Sequence, residues 1–564
     1  MIYLLLLMIP LIGLTALGSD DPESVDDDEE PDEDPVPDED PDPGPVVDPN
    51  PDPGVDPDPG PVIDPTPDPD PVVDPDPDPD PDPVVDPDSD EDPDPASPIT
   101  RTGHFVSEDL FGANAIYSVN TDQGTPTETL ESSIEEFELD TFRFPAGQAE
   151  PDGVDGEDYL DITQLTEDGE LRPELTDFMD NIEGGVTLVL PVVGASVEEY
   201  GEGMSEWAEK VMNEYGDKID AFEIGNEYWA RMGETEYGQK ANIAIQELAS
   251  GISAADAGDP DILVQMATPT GQSEFHSSVD DRGYMDRLTD ANNTIIDQLD
   301  EDSRTQVDGV IEHYYWNDFD FPFDHDAAER RHIDADYEVW EERFERELDL
   351  YITEWNVKTT NTTCNGLRSL PIMTELVENM VEMDVDVGHV WPINHNTIND
   401  IGGSFDDPEI VTDDQGRVIE NVRGAMFDLM STNLPGKELV EIETDDLPDS
   451  TDLVAFEGDG ELIIYIRSYV FDKNDFTLDV SDLVADFQSA TGVQVGYDPD
   501  TSDGMAYVPG EGVQPSASIE IDGEPYYLTE HDTQAELTDY TYDDPRIDIS
   551  LRPFEVLQLT IPTA

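Results

Sequence analysis

The chain has one cysteine, Cys364, and only 23 Lys+Arg against 139 Asp+Glu, a formal charge of −116 over 564 residues. A single cysteine excludes an intrachain disulfide, so stability has to come from packing. The shortage of bases excludes nucleic-acid binding by phosphate neutralisation, because the long-range field repels phosphate. Zinc-spaced Cys/His clusters, a phosphate-cradling P-loop and a G-x-S-x-G nucleophile elbow are all missing. No metal or organic cofactor is implied, and nothing in the sequence points to a protein partner.

The acids fall into two populations. Residues 20–98 hold 33 of them and no Lys or Arg, which leaves 106 acids with all 23 bases in the remainder. That remainder also carries all six tryptophans and ordinary apolar runs, so it is expected to fold. A folded domain this acidic points to a salty habitat, where self-repulsion is screened within roughly 3 Å at 1 M salt. Its surface charge reads as solubility chemistry.

Residues 1–18, "MIYLLLLMIPLIGLTALG", have the short apolar core and small-residue ending of a secretory signal cleaved before Ser19, although no Lys or Arg starts them. The stretch is shorter than the roughly 20 residues a spanning helix needs. Export to the medium or the cell surface is expected, with an uncleaved anchor as the alternative. Residues 19–98 are Asp-Pro-rich and read as an extended, unfolded spacer, since proline removes donors and the aspartates repel one another.

From residue 99 to 430 the pattern is eight near-continuous apolar runs: 110–118, 140–147, 185–196, 219–227, 261–270, 307–316, 349–357 and 386–395. Strands buried on both faces read this way. Helix-spaced polar stretches separate most of them, so the expectation is α/β, a (β/α)8 TIM barrel. An open doubly wound sheet is the competing reading, but no G-x-G-x-x-G follows the first strand. Residues 431–564 switch to short alternating segments such as "ELIIYIRSYV" and "FEVLQLTIP", which read as an antiparallel β-sandwich.

Barrel sites sit at the carboxyl ends of the strands. Only the fourth and seventh runs end in a Glu after an apolar stretch: Glu227 in "AFEIGNEYW" (221–229) and Glu354 in "YITEWNV" (351–357). Paired carboxylates suit glycosidic cleavage, one donating a proton with its pKa raised, the other staying ionised to attack or to activate water. Trp229, Trp355, Trp391 and Tyr315 offer apolar faces for sugar rings, and Arg143 a cation for the ionised carboxylate. Two Glu near aromatics also arise by chance in so acidic a chain, and Glu223 and Glu312 lie in strand-like runs too. His313 reads equally well as a satisfied structural histidine. Strict strand alternation cannot aim Asn226 and Glu227 the same way, so the strand has to end or bulge there.

At these residues the chain resembles clan A of the retaining glycoside hydrolases, built on (β/α)8 barrels, in which an Asn-Glu pair ends the fourth strand and a nucleophilic Glu the seventh. "FRFPAGQ" (142–148) resembles the Arg-x-Pro-Gly-Gly-type segment ending strand two in the arabinofuranosidase, xylosidase, glucuronidase and endoglucanase families, with Ala146 where Gly is frequent. "TEWNV" is particularly similar to the arabinofuranosidase family, glycoside hydrolase family 51, which also carries a C-terminal β-sandwich. The resemblance implies Glu227 as acid/base and Glu354 as nucleophile. It further implies that Asn226 binds the sugar 2-hydroxyl, that Arg143 and Tyr315 orient Glu354, and that His313 and Trp391 line the subsite. It implies double displacement on a plant or algal polysaccharide, with carboxyls about 5–5.5 Å apart. Two other readings compete: a non-catalytic carbohydrate-binding protein on the same scaffold, and a structural exoprotein whose acid tail binds calcium.

Overall fold

The computed structural model describes residues 99–563 except 151–158, 256, 318–327, 396–397, 403–420 and, in the C-terminal part, 443, 445–446, 449–450, 485–486, 500, 509–510 and 532. The signal-like segment and the Asp-Pro stretch lie outside the described residues. The described residues belong to one unit, Pro95–Ala564.

Each of the eight apolar runs contributes one strand: β1 (Asp109–Asn114), β2 (Thr141–Phe144), β3 (Gly185–Leu190), β4 (Ile219–Ile224), β5 (Asp261–Gln265), β6 (Gly309–Trp316), β7 (Asp349–Val357) and β8 (Val387–Val390). They pair in parallel and close into a barrel, the fold expected. Helices run back between them, among them Met204–Tyr215, Glu234–Ala255, Tyr284–Gln298, Ala328–Phe344 and Ser369–Glu382. Their starts are local: Thr127 accepts the Leu130 N–H to cap Glu128–Glu136, and Asn421 accepts the Arg423 and Gly424 N–H groups to cap Val422–Asn433.

The apolar runs are long because both strand faces are covered. Ala221, Leu263, Ile311 and Tyr351 fill a layer inside the barrel, while Leu188, Phe222 and Ile224 pack outward against helices carrying Trp207 and Leu248. Each large side chain buried this way contributes about 1.5–3 kcal/mol.

The C-terminal part is a seven-stranded antiparallel sheet, in the order Ile99–Phe105, Glu438–Ile442, Thr451–Gly458, Glu461–Ser468, Val556–Pro562, Ala490–Tyr497 and Ala535–Tyr542. Its first strand comes from ahead of the barrel and pairs Ile99 with Ile442. A second pair, Asn474–Asp479 with Arg546–Leu551, encloses Ile464, Leu478, Ile549 and Leu559, making the expected sandwich. The barrel side of the sheet is tied by the fully buried Arg467, which donates to Glu375 (3.0 Å) and Glu378 (2.9 Å) of helix Ser369–Glu382. Among the described residues no helix is long and apolar enough to cross a membrane.

The amino-terminal mouth of the barrel carries Asp109, Asp140, Asp220, Asp261, Asp308, Asp349 and Asp386, each at or beside the start of a strand. Desolvation, then repulsion from neighbouring aspartates, pushes Asp220, Asp261 and Asp386 up to about 6. Asp220 and Asp386 keep solvent contact, so salt screens this repulsion. These carboxyls hold protons more tightly in the folded chain than in the unfolded one. Stability therefore rises as pH falls from about 6 towards the ordinary aspartate range. Thermal unfolding at low salt should show a higher midpoint at pH 5 than at pH 7.5, and 2 M NaCl should shrink that difference; a lower midpoint at pH 5 contradicts the assignment.

Candidate active site

The site is built at the carboxyl ends of β1, β2, β4, β6 and β7. β4 stops at Ile224, and the chain turns through Gly225 (φ 84°) and Glu227 (φ 43°), both left-handed. A Cβ at Gly225 would lie 2.8 and 2.9 Å from the Val192 methyls, so glycine is required. This turn resolves the alternation problem, because Asn226 and Glu227 stand beyond the strand. On β7 the register against β6 shifts between Ile352 and Glu354, so that Glu354 pairs with His313. The bulge sets Glu354 at the barrel end.

Arg143, on β2 and wholly buried, is the centre. Its Nε and Nη2 donate to the two oxygens of Glu223 at 2.7 and 2.6 Å. Nη1 donates to Glu354 (2.8 Å) and to Asn114 (2.9 Å), and Nη2 to Asn226 Oδ1 (2.6 Å). All five N–H groups of the guanidinium are thereby used. Tyr315 donates its hydroxyl to the other oxygen of Glu354 at 2.7 Å. His313 Nδ1 lies 3.4 Å from Glu227 Oε1 and 3.5 Å from Glu354 Oε2. Two oxygens within reach of one nitrogen stand no more than about 7 Å apart. That bound on the nearest oxygens accommodates the ~5–5.5 Å carboxyl separation of retaining glycosidases.

The electrostatics depart from the expectation of a raised acid. Desolvation pushes the Glu227 carboxyl up, but the His313 hydrogen bond and the charges of His313, Arg143 and Lys358 outweigh it and hold Glu227 below its usual value. With 45% of its side chain open, Glu227 keeps contact with solvent. His313 moves the other way: desolvation lowers it, and the charges of Glu354 and Glu227, with the Glu227 hydrogen bond, raise it overall. His313 thus holds its proton more tightly, and Glu227 less tightly, than each would free in water.

Arg143, Asn226, Glu227, His313, Tyr315 and Glu354 thus form one hydrogen-bonded group. Trp391 stands at its edge: a Cβ on Gly147 would lie 3.4 Å from the Trp391 ring, 3.5 Å from Asn226 and 3.7 Å from Glu354. Two of the four aromatics expected to face sugar do not. Trp355 is fully buried and stacks on Phe427 at 6.0 Å. Trp229 is buried edge-on to Tyr228 at 5.4 Å. The bulge on β7 turns Glu354 to the mouth and its neighbour Trp355 to the helices. Glu223 and Asn114, to which the sequence reading gave no role, join the site through Arg143. A carboxylate inside the apolar run 219–224 was the signal for Glu223, since it needs a buried cation. Among the described residues no Cys, His, Asp and Glu grouping is arranged to hold a metal ion.

No family model matches the chain, and no curated protein matches it either. Solved structures do match in fold. The chain is similar to BuGH86 in complex with neoagarooctaose, at 12% identity over 82% of this chain and 75% of that one, with a TM-score of 0.51. It is also similar to CelM2, a bifunctional glucanase-xylanase from a metagenome library (11% identity, 83% and 98% covered, TM-score 0.48). A third is a Paenibacillus polymyxa xyloglucanase of glycoside hydrolase family 44 (10% identity, 82% and 99% covered, TM-score 0.47). These structural neighbours are glycoside hydrolases, and what the chain shares with them is the fold.

Replacing Arg143 by Leu strands the fully buried Glu223 without its cation. Breaking a buried pair from one side costs about 3–5 kcal/mol. Urea unfolding of Arg143→Leu should show a loss of that size; a loss under about 1 kcal/mol contradicts the network.

Proposed function

We propose that the protein is a secreted retaining glycoside hydrolase acting on a neutral plant or algal polysaccharide. The observation that carries this reading is the shared contact of Glu227 and Glu354 with one imidazole nitrogen, which holds one oxygen of each within about 7 Å of the other. The barrel and its likeness to BuGH86, solved with an agaro-oligosaccharide, support it. A family 51 arabinofuranosidase is the nearest family by motif. The net charge of −116 favours a neutral substrate over a sulfated or uronic one.

In the first step Glu354, fixed by Arg143 and Tyr315, attacks the anomeric carbon and forms a glycosyl ester as the glycosidic C–O bond breaks. Glu227 gives its proton to the departing oxygen. The proton reaches Glu227 from His313 when substrate shields the pair from solvent. In the second step Glu227 takes a proton from water, whose oxygen attacks the same carbon, and the Glu354 carboxylate is released with net retention. Asn226, its carbonyl held by Arg143, presents its amide N–H to the sugar 2-hydroxyl. Trp391 supplies an apolar face.

The test is hydrolysis of aryl glycosides and neutral polysaccharides at high salt. Glu354→Gln should lose at least about a thousandfold in kcat. Azide should rescue Glu227→Ala and yield a glycosyl azide of retained configuration. Mutants equal to wild type would overturn the assignment. Glycan binding without turnover by wild type would favour a binding protein on this scaffold.

A further inference from the structure

Three of the chain's 23 bases meet at one cavity, in a molecule that carries 139 acids. The cavity is about 700 Å³ and is lined by Leu299, Glu301 and Arg304 ahead of β6 and by Arg343, Phe344 and Arg346 ahead of β7. Both segments lead into strand starts, so the cavity lies at the amino-terminal end of the barrel, away from Glu227 and Glu354 at the carboxyl end. Glu301 is the one acid among the described lining residues. The mechanism proposed above uses none of these side chains.

Part of each guanidinium is spent on the fold. Arg304 donates from Nε to the Leu299 carbonyl (3.1 Å) and from Nη2 to the Ile296 carbonyl (2.8 Å), closing the end of helix Tyr284–Gln298. Arg346 donates to the carbonyls of Val307 and, at 3.2 Å, Glu347, and its guanidinium carbon stands 5.7 Å from the centre of the Phe344 ring. Arg343 donates to Asn293 Oδ1 and meets Asp297 at 2.6 Å, an acid whose side chain is 64% exposed. A guanidinium has five N–H groups, so each arginine keeps N–H groups beyond those it uses here. Among the described residues no carboxylate bonds Arg304 or Arg346, although Asp308 feels the Arg346 charge.

Three like charges around one cavity repel one another unless an anion stands among them. Neutral carbonyls stabilise a guanidinium without cancelling its charge, and an exposed pair such as Arg343–Asp297 contributes little. We propose that this cavity binds a polyvalent oxyanion of the sulfate or phosphate class, held by Arg304, Arg343 and Arg346. Guanidinium N–H groups match the oxygens of such an anion and form short, charge-assisted bonds to it. The buried Leu299 and the half-buried Phe344 give the cavity an apolar wall, and it has room for more than a lone ion, so the oxyanion is either free or the ester group of a larger molecule. The field of the remaining acids opposes its entry in dilute buffer, and 1 M salt removes that opposition by screening it within roughly 3 Å. The bound anion ties together the segments that enter β6 and β7, the strands of His313 and Glu354.

The site is independent of the glycosidase reading, and its test needs no turnover. The full chain is dialysed to equilibrium against radiolabelled sulfate in 1 M NaCl. Wild type should take up sulfate saturably, one ion per chain, and Arg304→Gln and Arg346→Gln should each weaken uptake at least about tenfold. Arg304 also closes a helix, so Arg346→Gln decides if the first variant fails to fold: Arg346 is exposed, and circular dichroism checks that its variant keeps the wild-type fold. Uptake that does not saturate, or that is unchanged in folded Arg346→Gln, overturns the proposal. Unlabelled galactose 6-sulfate then separates the two sources of the oxyanion. Displacement of the label at lower concentration than unlabelled sulfate assigns the site to a sulfate ester, and equal or weaker displacement assigns it to the free ion. Galactose alone should displace nothing, and displacement by it overturns the proposal.

Discussion

The structure of the site depends on one buried guanidinium. Arg143 places its five N–H groups on acceptors from β1, β4, the turn after β4, and β7, so its plane fixes the relative position of four elements at once. A cation so enclosed is costly unless its charge is matched. Glu223 matches it with a two-pronged contact, and Glu354 is then bound in excess of neutrality. That surplus negative charge, with Glu227, raises the proton affinity of His313, which stands between Glu354 and Glu227. The protonation pattern of the mouth therefore follows from how many carboxylates share one arginine.

The chain is acidic everywhere, yet its acids fall into three physical settings. Most are solvated surface, where salt screens them. A rim at the amino-terminal mouth repels itself and holds protons up to about pH 6. A few, Glu223, Glu312 and Glu354, are buried within strands β4, β6 and β7, each bonded to a cation or a hydrogen-bond donor. Composition sees one population, and burial sorts it.

Much of this was legible in the sequence because parallel strands are covered on both faces and leave unbroken apolar runs. The eight runs became the eight barrel strands, and reading their ends found Arg143, Glu227 and Glu354 together. What was hidden depended on direction and on distance along the chain. Trp355 follows Glu354 directly, and only the bulge at Thr353 decides which of the two faces the mouth. The strand Ile99–Phe105 alternates in burial and pairs with residues more than 300 positions away, so nothing local marks it as part of the C-terminal sheet. Glu223 shows the limit in the other direction: its run announces a buried acid, but not that its partner is Arg143, 80 residues earlier.

The account stands on Glu354 as the group that bonds covalently to sugar. The most direct measurement is intact and peptide mass spectrometry after incubation with a series of 2-deoxy-2-fluoro glycosyl fluorides, whose fluorine slows release of the glycosyl ester. The account predicts a one-sugar mass increase that maps to the β7 peptide containing Glu354. Turnover of substrate with no trapped adduct, or an adduct on any other carboxylate, would contradict it.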